Sequence, residues 1–157
     1  MAFKKSKLIK TILRDKDKRG SIISVVNEKC SNVSIISCLK NSIRSNHYHL
    51  DDWHYIYVLK GRINYFFTNL KRTKVYYKII DTNDIIFTPP MEIHATHFPV
   101  NTELLVVSKN KRNKTIYEKD TVRVNFINKE NILYYINENT KKKLIFAVFV
   151  KVVSLIK

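Results

Sequence analysis

Glycine is almost missing from this 157-residue chain, which holds Gly20 and Gly61 and no other. In so poor a background, each glycine is expected where the backbone requires one. Cysteine is equally sparse. Cys30 and Cys38 have neither C-x-x-C spacing nor the density of a disulfide framework, so both read as small apolar residues of adjacent strands in a reducing compartment. No apolar run reaches the roughly 20 residues that a bilayer-spanning helix needs. Met1 to Leu13 alternates Lys with apolar residues and lacks the continuous core of a signal peptide. Leu144 to Ile156 is strongly apolar but spans 13 residues and contains Lys151, which suits a buried element that closes the fold or a contact with a second copy. A cytoplasmic protein with no membrane partner is expected.

Acidic side chains are also scarce, 13 against 29 Lys and Arg, for a net charge of +16. The excess is not central. Residues 1–20 carry +6, residues 21–108 only +2, and residues 109–157 +8. No helix-turn-helix pattern, zinc-finger spacing or aromatic-basic RNA motif accompanies the charge. It is read as solvated surface, with no specific nucleic-acid partner and with a small-molecule ligand, of anionic character if the basic field selects it.

What is present is a run of short strands. Ser21–Val26, Asn32–Leu39, His54–Lys60, Arg62–Thr68, Thr73–Ile80, Asp84–Thr88, Glu103–Ser108 and Thr121–Phe126 are rich in Val, Ile, Tyr and Phe. The joints between them carry turn chemistry at Asn41-Ser42, Lys60-Gly61-Arg62, Asp81-Thr82-Asn83 and Pro89-Pro90. Strand centres near ten residues apart predict an all-β sandwich or barrel. Residues 1–20 form a charged lead-in, 21–126 the barrel domain, and 127–157 a C-terminal extension; residues 109–119 read as a solvated loop.

All five histidines lie between positions 47 and 97. His47 and His49 fall on one face of an extended strand, as two ligands of one metal require. His97 is out of phase with His94 and is expected to point outward. Asp51 and Asp52 could orient an imidazole from behind, although two acids in a solvated loop are commoner.

The spacing around these histidines resembles the two motifs of the cupins. His47, His49, His54 and Gly61 match H-x-H, three or four residues, E, six residues, G, with His54 standing at the glutamate position. Asp84, Pro89 and His94 match G-D-x4-P-x4-H, with Asn83 in place of the glycine. The resemblance implies an all-β jelly-roll barrel and one divalent metal ion on His47, His49, His54 and His94, with Zn or Fe favoured and Mn or Ni as alternatives; without His54 as a ligand, three histidines and water still suffice. Arg44-Ser45-Asn46-His47-Tyr48-His49 is further similar to the R-G-L-H-Y-Q segment of dTDP-4-dehydrorhamnose 3,5-epimerases. That likeness implies a diphosphate contact at Arg44 and a metal-free catalytic base at His47, in conflict with a ligand role for the same residue. Tyr65, inward by alternation, is a second candidate proton carrier, its other role being a core aromatic. The expected function is an isomerase or epimerase of a sugar nucleotide or related carbonyl compound. An Fe(II) dioxygenase, a metal-dependent lyase and a non-catalytic binding module are the alternatives, and a homodimer is expected.

Overall fold

The computed structural model describes residues 5–9 and 12–141. Twelve strands and one short helix follow in order: β1 Lys7–Ile9, β2 Ile12–Asp17, β3 Gly20–Ser24, β4 Asn32–Cys38, β5 Ile43–His49, β6 His54–Lys60, β7 Arg62–Thr68, β8 Tyr76–Asp81, β9 Ile85–Thr88, β10 Ile93–His97, β11 Thr102–Ser108, α1 Lys114–Asp120 and β12 Thr121–Arg123. A second helix covers residues 132–141. No helix among the described residues is long and apolar enough to cross a membrane.

The strands build two antiparallel five-stranded sheets, ordered β1-β9-β6-β11-β4 and β12-β5-β10-β7-β8, with β2-β3 as a separate hairpin. Alternation decides what each strand offers the interior. From β6 it is His54, Ile56 and Val58; from β7, Ile63, Tyr65 and Phe67; from β11, Leu104 and Val106. All of these except His54, together with Cys38, Ile80, Ile86 and Phe98, form a core between the sheets. A second apolar cluster lies on the outer face of the β5-β10-β7-β8 sheet, where Phe66, Tyr77, Ile93 and Ala95 are covered by Phe126, Ile127 and Ile132. The described part of the C-terminal extension therefore packs on the barrel's outer face. The apolar run Leu144 to Ile156 lies outside the described residues.

The all-β jelly roll expected from the motifs is the fold observed, with corrections at several elements. Part of the lead-in joins the barrel, since Lys7, Leu8 and Ile9 pair with Phe87, Ile86 and Ile85. Residues 109–119 are not simply a solvated loop: α1 starts there, with the Asn113 side chain capping Ile116 N–H. Strand β10 was hidden from a reading by composition because Ile93–His97 has one large aliphatic residue and two histidines.

Gly61 sits where β6 leaves one sheet and β7 enters the other, so its turn is a corner between layers and not a hairpin. Its φ of +97° is left-handed, and a Cβ there would meet Thr102 Oγ1 at 2.6 Å and the Asn101 carbonyl oxygen at 2.7 Å. Gly61→Ala is expected to cost about 2–4 kcal/mol through backbone strain and overpacking together. Urea unfolding checks this, and an unchanged midpoint would remove Gly61 as a requirement of the corner.

Candidate active site

The site begins with an irregularity in β5. His94 pairs with His47 and Ala95 with Ser45, so Asn46 is an extra residue in the ladder. Ser45 and Asn46 hold φ values of 67° and 54°, a costly conformation that Asn tolerates best among residues with a side chain. The Asn46 amide is clamped on the outer face, donating to the Ile127 carbonyl at 2.8 Å and accepting from Ile127 N–H at 2.9 Å. After this bulge His47 and His49 both point inward. Pairing with β10 brings His94 beside them, and His54 faces them from the opposite sheet. The His47 ring lies 4.7 Å from those of His49 and His94, and the His49 ring 4.5 Å from that of His54. His97 is on the outer face as expected, its Nδ1 3.1 Å from the Asn64 amide nitrogen.

Each inner imidazole is set by what its other nitrogen meets. His49 Nδ1 lies 2.9 Å from the Asp120 carboxylate and so carries the hydrogen, which leaves a lone pair at Nε2. That Nε2 is buried with no hydrogen-bond partner among the described residues. His94 Nδ1 donates to the Glu92 carbonyl at 3.2 Å, and the His94 ring stacks on Tyr65 at 6.1 Å. His54 Nε2 lies 2.9 Å from Asp52 Oδ2 and 2.8 Å from Arg112 Nη2. The two loop acids thus differ: Asp51 is exposed against Lys109, while Asp52 is buried beside His54.

Burial keeps these imidazoles neutral. It lowers His49 to about 3, with His54 and His94 adding to the effect and Asp120 opposing it. It lowers His94 to about 4, helped by Arg112. It depresses His47 and His54 strongly as well, with His94 the next cause for the former and Arg112 for the latter. Neutral imidazoles are the form that accepts a proton or binds a metal.

The donors of His47, His49 and His94 lie within 4.8 Å of one another, and the orphaned His49 Nε2 has the character of a ligand nitrogen. A divalent ion fits these three. His54 falls outside that group and is placed in a second one, with His49 and Asp52. The Arg112 cation at its Nε2 is an unfavourable neighbour for a second positive charge.

A cavity of about 470 Å³ opens over the cluster. His47, His54 and His94 line it with Arg44, Arg112, Tyr117 and Arg123, and its other wall is apolar, from Ile36, Ile56, Phe98, Leu104 and Val106. Arg123 is held by both oxygens of Glu118 at 2.7 and 2.8 Å. Tyr65 is fully buried behind His94, its hydroxyl engaged with Thr88 at 2.7 Å and Ser6 at 3.0 Å, and it does not line the cavity. Its surroundings are those of a core aromatic that supports His94.

Sequence reasoning missed Arg112, Tyr117, Asp120, Arg123 and the fully buried Glu92. Glu92 accepts from the backbone N–H of Ser6 at 2.7 Å and from its hydroxyl. Burial raises this carboxyl to about 8. The charged residues of 109–123 looked like solvated surface; the available signal was the acid of Asp120, placed where β12 meets β5.

No protein-family model matches the chain, and no curated protein sequence does. Solved structures do. A sugar 3,4-ketoisomerase from Thermoanaerobacterium thermosaccharolyticum in complex with TDP is 18% identical with a TM-score of 0.62, over 87% of this chain and 96% of that one. A 3,4-ketoisomerase from Helicobacter canadensis is 17% identical with a TM-score of 0.63, over 84% and 97%. A dTDP-4-dehydrorhamnose 3,5-epimerase from Bacillus anthracis, with TDP and PPi bound, is 16% identical with a TM-score of 0.62, over 80% and 81%. The chain has the cupin jelly-roll fold. It shares that fold with these two ketoisomerases and this epimerase.

Two measurements test the site. After loading with Zn²⁺ and removal of excess, the protein is expected to retain one equivalent by elemental analysis and His49→Ala none; a wild-type chain that retains none would take the cluster out of metal chemistry. In metal-free protein, stability should peak near pH 6.5. Below it, the unfolded histidines bind protons that the folded ones, lowered to about 3 and about 4, refuse, so stability falls with pH. Above it, the folded Glu92 carboxyl still holds its proton up to about 8 while the unfolded one does not, so stability falls as pH rises. Melting temperatures from pH 4 to 9 should show both limbs, and Glu92→Gln should flatten the alkaline one.

Proposed function

We propose that this chain is an isomerase or epimerase that moves a proton beside the carbonyl of a keto sugar nucleotide. The observation that carries the reading is a single cavity in which neutral imidazoles, guanidinium groups and an apolar wall face one another. Those are the demands of such a substrate: a base for the acidic C–H, cations for the diphosphate, and apolar surface for the nucleobase. The fold likeness to ketoisomerases and epimerases supports it, and both observations favour it over the iron dioxygenase, the lyase and the non-catalytic binding module.

His47 is the base in this reading. It is the least buried of the four inner imidazoles, it lines the cavity, and its depressed pKa leaves its lone pair unprotonated at neutral pH. Arg44 and Arg123, on β5 and β12, hold the diphosphate. Glu118 keeps the Arg123 fork in one orientation before substrate arrives, which lowers the entropy lost on binding. A divalent ion on His47, His49 and His94 would take the lone pair that the base role needs, so the two roles of His47 exclude each other. The base role requires the His47 lone pair to face substrate, so it predicts activity that survives chelation. A homodimer belongs to the same reading: β4 is an edge strand whose outer face leaves Val33 57% and Ile35 72% exposed. So does a cytoplasmic location, in keeping with two free cysteines.

The direct test is incubation with TDP-4-keto-6-deoxyglucose in D₂O, followed by proton NMR. Deuterium is expected at ring carbons beside the carbonyl, and the position labelled tells keto migration from epimerisation. His47→Ala should lower kcat by about 10²–10⁴-fold, and Arg44→Ala should raise KM by about 10–100-fold, the worth of one charged hydrogen bond. Loss of exchange on chelation would move the base role off His47.

A further inference from the structure

Arg112 stands apart from the other two cavity arginines. Arg123 is closed by Glu118, and Arg44 lies further out along β5, before the bulge. Arg112 reaches into the imidazole cluster. Its Nε donates to the Ser108 hydroxyl at 3.1 Å, its guanidinium lies over the Tyr117 ring at 5.2 Å, and its Nη2 is 2.8 Å from His54 Nε2. Ser108 is fully buried and pairs with His54 across β11 and β6, so the guanidinium is anchored from the same sheet as that imidazole. Among the described residues no carboxylate lies within ion-pair distance of it.

The contact with His54 has a consequence. Nε2 has either a hydrogen for Asp52, 2.9 Å away, or a lone pair for Arg112, and it cannot serve both. Asp52 is buried and anchored by Asn110 N–H at 3.0 Å, so it is well placed to take the hydrogen. Arg112 then keeps its Ser108 bond and a long 3.5 Å contact from Nη2 to His54 Nδ1, while its Nη1 has no acceptor among the described residues and the side chain lines the cavity.

We propose that Arg112 is the electrophile of the site, donating to the substrate carbonyl oxygen as that oxygen becomes an enolate. The inference rests on the isomerase reading and names the group that stabilises its intermediate. The base takes the proton from the carbon beside the carbonyl. The C–H electron pair becomes the new C=C bond, and the carbonyl π pair moves to oxygen, where the guanidinium holds the negative charge. For epimerisation the proton returns to the same carbon from the other face. For keto migration the neighbouring hydroxyl gives its proton to the first oxygen, its own oxygen becomes the carbonyl, and the original carbonyl carbon receives the proton. No oxidant or reductant is needed. A fixed cation in a partly enclosed site suits this role, because it needs no reorganisation as charge develops.

The experiment compares wild type, Arg112→Ala, Arg112→Gln and Arg112→Lys by solvent deuterium exchange into TDP-4-keto-6-deoxyglucose, with melting temperatures to show that each is folded. Arg112→Ala and Arg112→Gln are expected to lose about 10²–10³-fold in kcat with KM changed far less. Added guanidinium ion should restore part of the Arg112→Ala rate, and Arg112→Lys should fall between, having the charge without the planar fork. A variant that raises KM while leaving kcat intact would reduce Arg112 to a binding contact and overturn the inference alone. Wild-type protein that exchanges no carbon-bound hydrogen would overturn the isomerase reading and this inference with it.

Discussion

The hydrogen bond from His49 Nδ1 to Asp120 is the contact on which the rest of the site depends. It fixes one tautomer of a buried ring and so decides which nitrogen faces the cluster. The same carboxylate takes the backbone N–H of Asp51 at 2.8 Å, and the Asp120 carbonyl takes that of Leu50 at 2.9 Å. One residue thus fastens the end of α1 to the end of β5, and with it the segment that brings Arg112, Tyr117 and Arg123 to the cavity.

Holding several imidazoles in a closed barrel has an electrostatic logic. Burial penalises each charged form, and each ring penalises protonation of the next, so the cluster stays neutral through most of the physiological range. The positive charge in the site comes instead from arginines, whose guanidinium does not give up its proton. Basic and cationic functions are thereby assigned to different residue types within one cavity.

Much of this was legible in the sequence because it is local. The H-x-H pair shows a shared face directly, and the motif positions of Gly61 and Asn83 both prove to be left-handed, with φ of 97° and 71°. Asn83 could stand for glycine because its short amide tolerates that conformation. Ser45, at the glycine position of the R-G-L-H-Y-Q segment, is left-handed too, at 67°. What was not legible is long-range. Asp120 meets His49 across 71 residues, Arg112 meets His54 across 58, and Ser6 meets Glu92 across 86. Each is a charged or polar residue in a segment that composition alone assigns to solvent, and only the pairing of the strands gives it a buried partner. The setting of His54 between Asp52 and Arg112 depends on the same folding together of distant segments.

Those separations also bear on how the chain becomes functional. Ser6 enters before the first strand and Arg123 ends the last one, with the histidines between them. During synthesis β6, β7, β8 and β9 can emerge and pair while Asp120, Arg112 and Arg123 are still unmade. Non-local pairing of this kind makes for slow folding. A nascent chain stalled before Asp120 would have its imidazoles without the group that orients them.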